Sequence, residues 1–265
     1  MAAPLSTVRM DVMDLSATPP PLRGRTVAAQ AWRDVAFVHW RVDPEVVRPL
    51  MPRGVRPDVF DGSSWVGLIA FELGAARIGP LPPARRWGTF TEINVRLYGI
   101  DDEGRHGVVF ASLEAASLPA VIGARALFSL PYMFAHTDKR RLEGSGLSLR
   151  YTSQRHTARP GGRGPGFDLT VDVDTSCTVR DDLSTFLTAR WGLFQTRFGR
   201  TLWLPNTHEP WTLHPARVRH LEDELCAAAG LPGIVDAPPE SVLFSPGVDA
   251  RFAAGSTIRV APDRR

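Results

Sequence analysis

Lysine is nearly absent: of 31 basic residues in the 265-residue chain, only Lys139 is not arginine. Any chemistry that needs an activated amine therefore has one candidate side chain. Cysteine is scarce too. Cys177 and Cys226 stand far apart, which fits a reduced, cytoplasmic protein and supports neither a disulfide framework nor zinc. No apolar run approaches the roughly 18 residues of a membrane span, and Met1 to Gln30 has no apolar signal segment. Catalytic signatures are missing as well. Glycine is never followed by lysine, which excludes a P-loop, and no G-x-S-x-G elbow occurs. The histidines show no H-E-x-x-H or other zinc spacing. Gly162-Arg163-Gly164-Pro165-Gly166 imitates part of a dinucleotide fingerprint, but its proline and loop context reject it. The expectation is a soluble protein with no metal, no cofactor and no membrane contact.

The remaining composition is globular, with 43% hydrophobic and 22% charged residues. The net charge is +3, and the arginines are scattered apart from the tract Lys139-Arg140-Arg141. A nucleic-acid binder would concentrate charge on one element with interleaved aromatics, so no nucleic-acid partner is expected. Oligomeric state is left open, homo-oligomers included.

Residues 1–30, with Pro19-Pro20-Pro21, read as a loose arm, and residues 31–265 as one domain. Strand-like runs cover Asp34 to Trp40, Val55 to Phe60, Trp65 to Leu73, Thr89 to Tyr98 and Val108 to Leu113. More follow at Leu147 to Ser153, Phe167 to Val173, Leu193 to Phe198 and Thr201 to Leu204. Many short strands split by turns indicate an antiparallel, mainly β fold of the α+β class. Short helices are expected over Pro44 to Leu50 and Pro119 to Phe128. A longer one is expected from His214, where Val218, Leu221 and Leu225 recur at helical spacing until Gly230.

The most informative segment is Thr91-Glu92-Ile93-Asn94-Val95-Arg96-Leu97-Tyr98. Strand alternation puts Glu92, Asn94, Arg96 and Tyr98 on one face and Ile93, Val95 and Leu97 on the other. That polar row is either a solvated sheet face or the lining of a cleft. In a cleft, Arg96 can hold a carboxylate and Glu92 can act as acid or base. Arg125, on the helix before Tyr132, and His208, beside Trp211, are further candidates.

His39-Trp40, Phe60-Asp61-Gly62-Ser63-Ser64-Trp65-Val66-Gly67, Thr91-Glu92-Ile93-Asn94-Val95-Arg96, Leu130-Pro131-Tyr132 and His208-Glu209-Pro210-Trp211 resemble, in order, the YqjF-like family (domain of unknown function 2071). That bacterial family is grouped by fold with acetoacetate decarboxylase. The resemblance implies an antiparallel, cone-like β-barrel with a few flanking helices, and a cavity that Glu92 faces. It also exposes a departure. The decarboxylases follow a Gly-Arg helix and a proline with two lysines, one of which forms a Schiff base. Here Tyr132 and Met133 follow Pro131, and neither can form an imine. Lys139 is expected in an exposed basic tract. The implied protein is therefore an enzyme acting on a small oxo-acid or carbonyl compound without a Schiff base, by hydration, dehydration, an aldol-type step or cyclisation. The alternative is a non-catalytic binder of a small carboxylate. Glu92, Tyr132 and His208 are the expected catalytic residues, and Arg96, Arg125, Asn94 and Trp65 the expected substrate-binding ones.

Overall fold

The computed structural model describes residues 15–79, 89–157 and 162–260. The first half contains β1 (Thr26–Val42), α1 (Pro44–Val47), β2 (Val55–Pro57), β3 (Ser64–Ile78), β4 (Phe90–Asp101), β5 (His106–Ala115) and α2 (Leu118–Phe128). Next come β6 (Tyr132–Leu142), β7 (Leu147–Arg155), β8 (Gly166–Val173), α3 (Asp182–Thr188), β9 (Gly192–Arg197) and β10 (Arg200–Thr207). The chain ends with β11 (His214–Asp223), α4 (Leu225–Ala228), β12 (Ser241–Ala253) and β13 (Ser256–Thr257). The mainly β reading holds. Among the described residues no helix is long and apolar enough to cross a membrane.

Following hydrogen-bonded neighbours from β5 through β6, β7, β8, β11, β12, β1, β3 and β4 leads back to β5. A shorter path leads from β12 through β1, β3, β4, β5, β9 and β10 back to β12. The pairing is antiparallel except where β5 runs parallel to β6 and to β9. The purely antiparallel expectation is corrected there. A parallel pair needs a crossover of a dozen or so residues, and the segment carrying α2 supplies it between β5 and β6.

The strands common to both paths bury both faces. The face turned to β7 and β8 is packed solid by Val38, Trp40, Leu68, Val95, Leu97, Tyr151 and Leu169. The other face lines an open cavity. A bulge decides which residues of β1 reach it. Asp34 has φ +50° and adds one residue opposite β3, between Arg33 and Ala36. The extra residue inverts the alternation, so Trp32 before it and Phe37 after it line the same cavity. Strand β12 accommodates the bulge with Pro246-Gly247, since Arg33 pairs with Gly247 and Val35 with Ser245. At Gly247, with φ +122°, a Cβ would stand 1.9 Å from the Trp32 carbonyl oxygen. Only glycine fits there.

Lys139 holds this bulge from the opposite side. Its ammonium lies 2.5 Å from Asp34 and 3.3 Å from Glu72, with the side chain only 14% exposed. The Tyr151 hydroxyl donates to the Asp34 carbonyl oxygen at 2.5 Å. The expected exposure of Lys139 is thus wrong, because two carboxylates draw it inward. It does not line the cavity. With both carboxylates partly exposed, Lys139→Ala is expected to cost about 1–2 kcal/mol in a urea unfolding curve, with ligand binding in the cavity unchanged.

The helix expected from His214 is a strand, β11, and only α4 at its end is helical. The cause is a second bulge. Val218 pairs with Val171, His220 with Thr170 and Leu221 with Leu169, so Arg219 is the extra residue. A bulge turns a spacing of two into three and imitates a helical repeat, which places Val218 and Leu221 together against the core. Arg219 consequently pairs with Asp172 across the sheet, at 2.8 Å. At the other end, residues 26–30, read as part of the arm, form the start of β1. The Ser16 carbonyl accepts a hydrogen bond from Trp191 Nε1 at 3.0 Å.

Candidate functional site

The cavity has a volume of about 130 Å³. Its walls are mostly apolar, aliphatic and aromatic together, and β4 supplies three of its polar groups. Alternation places Glu92, Asn94 and Arg96 in the lining while Ile93, Val95 and Leu97 enter the packed core. Tyr98 shares the polar face but is sealed behind the cavity wall. Its hydroxyl accepts a hydrogen bond from Arg96 Nε at 2.9 Å and lies 2.6 Å from His39 Nε2.

Glu92 is 2% exposed. Burial drives its pKa up to about 7, although hydrogen bonds from Tyr132 and Asn94 favour the carboxylate. The Tyr132 hydroxyl donates to Glu92 Oε2 at 2.7 Å. That phenol is pushed well above its ordinary pKa by burial and by the Glu92 charge, so it stays a donor.

Arg96 points its guanidinium into the same space without an ion pair to Glu92. Its Nη2 donates to the Leu187 carbonyl at 3.0 Å, its centre lies 5.4 Å from the Phe37 ring, and Nη1 has no partner among the described residues. The supporting carbonyl comes from α3, which starts with a reciprocal capping box between Asp181 and Ser184. The end of α3 leaves carbonyls without helical partners. Arg190 Nε takes Phe186 at 2.7 Å, Arg96 takes Leu187, and Trp211 Nε1 takes Thr188 at 3.2 Å. One helix terminus thus orients three cavity-lining side chains.

His208 is 4% exposed and surrounded by Trp32, Trp191 and Trp211, with ring centroids 5.7, 4.7 and 4.8 Å away. Burial lowers its pKa to about 4. A carbonyl only accepts, so Nδ1 carries the proton given to the Glu209 oxygen at 2.7 Å and Nε2 keeps its lone pair. His208 is therefore a neutral ring at physiological pH.

The structure thus brings together five of the seven site residues inferred from sequence: Glu92, Tyr132, His208, Arg96 and Asn94. Arg125 and Trp65 lie elsewhere. Arg125 is exposed and donates from Nε to the Tyr132 carbonyl at 2.6 Å, which fixes the start of β6. Trp65 is fully buried with Tyr98, Phe186 and Leu187, because β3 turns it behind the cavity wall. Sequence reasoning missed Arg190, Trp32 and Asn206 in the lining. Arg190 is 3% exposed, and its Nη1 pairs with Asp58 while Nη2 has no partner. Nothing local in Ala189-Arg190-Trp191 marks it. Its role depends on Asp58, 132 positions away. Among the described residues no three His, Cys, Asp or Glu side chains group as metal ligands.

Residues 29–249 match the DUF2071 family, described as an uncharacterized conserved protein. The uncharacterized protein YqjF of Bacillus subtilis is 30% identical over 229 residues, which is 84% of this chain and 92% of that protein. Solved structures share the fold at low identity. An acetoacetate decarboxylase-like enzyme from Sphingomonas wittichii RW1 aligns with TM-score 0.63 and 14% identity, covering 89% of this chain and 95% of the other. The enduracididine biosynthesis enzyme MppR, complexed with pyruvate, gives 0.57 at 14% identity, with 91% and 93% covered. Acetoacetate decarboxylase from Legionella pneumophila gives 0.57 at 12% identity, with 91% and 92% covered. The chain belongs to the DUF2071 family of YqjF-like proteins.

Proposed function

We propose that this protein is an enzyme that binds a small oxo-acid in the cavity and moves a proton at the carbon next to its carbonyl, without an imine. The observation that carries this reading is Glu92: a buried carboxyl poised at about pH 7 and held by a phenol inside an apolar, arginine-bearing cavity. The two circuits of strand pairing support the hollow, barrel-like container that the family resemblance implies. The only lysine is committed to Asp34 and Glu72, outside the lining. Arg96 holds the substrate carboxylate through its open Nη1. Ionised Glu92 takes the proton from the carbon, and the electron pair passes to the carbonyl oxygen. Once Glu92 is protonated it needs Tyr132 less, and the phenol O–H turns to the enolate oxygen. Aldol-type steps, and the addition or loss of water across the carbons next to the carbonyl, pass through this enolate.

The test is solvent-deuterium exchange at the α-carbon across a panel of 2-oxo acids, followed by NMR. Exchange that persists in Lys139→Ala and vanishes in Glu92→Gln is the expected outcome; loss in Lys139→Ala alone would overturn the scheme. The rate should rise with pH through about 7 as Glu92 ionises. In Tyr132→Phe that midpoint moves upward, because the hydrogen bond favouring the carboxylate is gone.

One observation favours a binding protein instead. Among the described residues no lysine, serine or cysteine lines the cavity, and the lining Thr188 spends its hydroxyl on the Ser184 carbonyl at 2.6 Å. Thermal stabilisation by oxo acids with no exchange and no product selects that reading.

A further inference from the structure

We infer that the ligand of this cavity is a 2-oxo acid that carries a single aromatic ring beyond the carbon whose proton is moved, rather than a short aliphatic oxo-acid. The inference rests on the reading above that the cavity takes a carboxylate, and it adds the body attached to that group.

Size is the first argument. The cavity is about 130 Å³, close to the roughly 150 Å³ apolar cavity known to admit one benzene molecule. A three-carbon acid would leave part of it unfilled, whereas one ring fills it. The second argument is the wall. Trp32 is the hub of an aromatic cluster: its ring lies 6.2 Å from Phe71 and 6.0 Å from Phe252, both edge-on, and 5.9 Å from Trp211 in near-parallel stacking. Phe37 meets Trp211 edge-on at 5.2 Å. All five rings line the cavity. Faces and edges set at several angles around one volume suit an aromatic guest, which gains from edge-to-face contact beyond the area it buries. The bulge at Asp34 is what brings Trp32 and Phe37 to the same wall, so this lining is a consequence of the main irregularity in β1.

The third argument is position. The aromatic wall begins at the Arg96 guanidinium, 5.4 Å from the Phe37 ring, so a ring joined to a carboxylate held by Arg96 lies along that wall. The polar end has capacity to spare. Arg190 Nη2 is buried without a partner, and so are the side-chain oxygens of Asn94 and Asn206. Arg190, Asn94 and Asn206 all line the cavity together with Arg96.

The test is isothermal titration of the full chain with benzoylformate, a one-ring 2-oxo acid, against pyruvate and 2-oxooctanoate, the straight-chain acid of equal carbon number. Benzoylformate has no hydrogen on the carbon next to its carbonyl and is hence a binding probe that the proposed reaction cannot consume. Benzoylformate should bind at least tenfold more tightly than either. Trp211→Leu should weaken benzoylformate about threefold to tenfold more than it weakens pyruvate. Phe252→Leu, whose ring meets Trp32 edge-on away from Arg96, should do the same, and it keeps the question answerable if Trp211→Leu fails to fold. Arg96→Gln should weaken every acid. If the aliphatic acids bind as tightly as benzoylformate, or the ring substitutions weaken all three alike, the aromatic inference falls while the carboxylate site stands. If no acid binds, or Arg96→Gln changes nothing, both fall.

Discussion

Glu92→Gln should raise the stability of the protein above neutral pH while removing proton transfer. Glu92 has a folded-state pKa near 7 against 4.5 for an ordinary glutamate, and burial is the cause. The folded state therefore holds its proton more tightly than the unfolded chain does. Below pH 4.5 the carboxyl is protonated in both states and contributes no penalty. As pH rises from 4.5 through 7 the unfolded chain has released the proton and the folded one must follow, so stability declines. The gap between 4.5 and about 7, at about 1.4 kcal/mol per pH unit, comes to roughly 3 kcal/mol at pH 9. Glutamine copies the protonated acid in shape and stays neutral. The variant should match the parent at pH 4 and melt some 5–10 °C higher at pH 9. Deuterium exchange should fall on the order of 10²- to 10⁴-fold. Differential scanning calorimetry across pH 4–9 reads the first effect and NMR the second. A melting difference that is flat across this range, or a variant destabilised at pH 9, would show that Glu92 titrates in contact with water. A gain in stability joined to a loss of chemistry marks a group held against its solvation for a purpose.

How far the sequence carried depended on whether alternation was local. In β4, nothing interrupts the two-residue period from Glu92 to Tyr98, so the cavity-facing row could be read without any fold. In β1 and β11 one extra residue breaks the period. At Asp34 it hides the fact that Trp32 and Phe37 share a wall, and at Arg219 it makes a strand look like a helix. Neither bulge has a local signature beyond an aspartate and an arginine. Trp65 illustrates a different limit. Its segment carries the family resemblance, yet the face it takes on β3 leads to the cluster with Tyr98 and Phe186 behind the cavity. Arg125 was placed on the correct helix, but its guanidinium reaches a backbone carbonyl before it could reach a ligand. The paired-lysine positions were more informative. Tyr132, which the family resemblance sets where the decarboxylases carry a lysine, is the group that contacts Glu92.

Asp58→Asn should be the most destabilising single change near the site, although Asp58 does not line the cavity. Its Oδ2 takes both Arg190 Nη1 and His106 Nδ1, the latter at 2.7 Å, while Oδ1 accepts the Val59 N–H at 3.0 Å. Arg190 is almost wholly buried, with its guanidinium 4.2 Å from the Phe186 ring and 4.9 Å from Tyr98. Ring faces attract the cation but do not neutralise it, and Asp58 is its only carboxylate partner among the described residues. Asparagine keeps the volume and one acceptor but strands that charge. Breaking a buried pair in this way costs about 3–5 kcal/mol. The pH dependence has the opposite sign to that of Glu92. Burial alone would raise the Asp58 pKa, but the His106 hydrogen bond and the Arg190 charge outweigh it and hold the carboxyl below its usual 3.8. Its contribution is therefore complete above pH 3.8 and disappears as pH falls through the lower folded-state value. Guanidine unfolding at pH 7 should show the full difference between parent and variant, and unfolding near pH 2 much less. A difference that persists undiminished in acid would assign the effect to packing instead of charge. The functional consequence follows from the same unpaired cation. With Asp58 neutral, Arg190 adds an uncompensated positive charge beside Arg96, so benzoylformate should stabilise Asp58→Asn more than the parent. Asp58 thus tunes the charge that a bound carboxylate meets while remaining out of its reach.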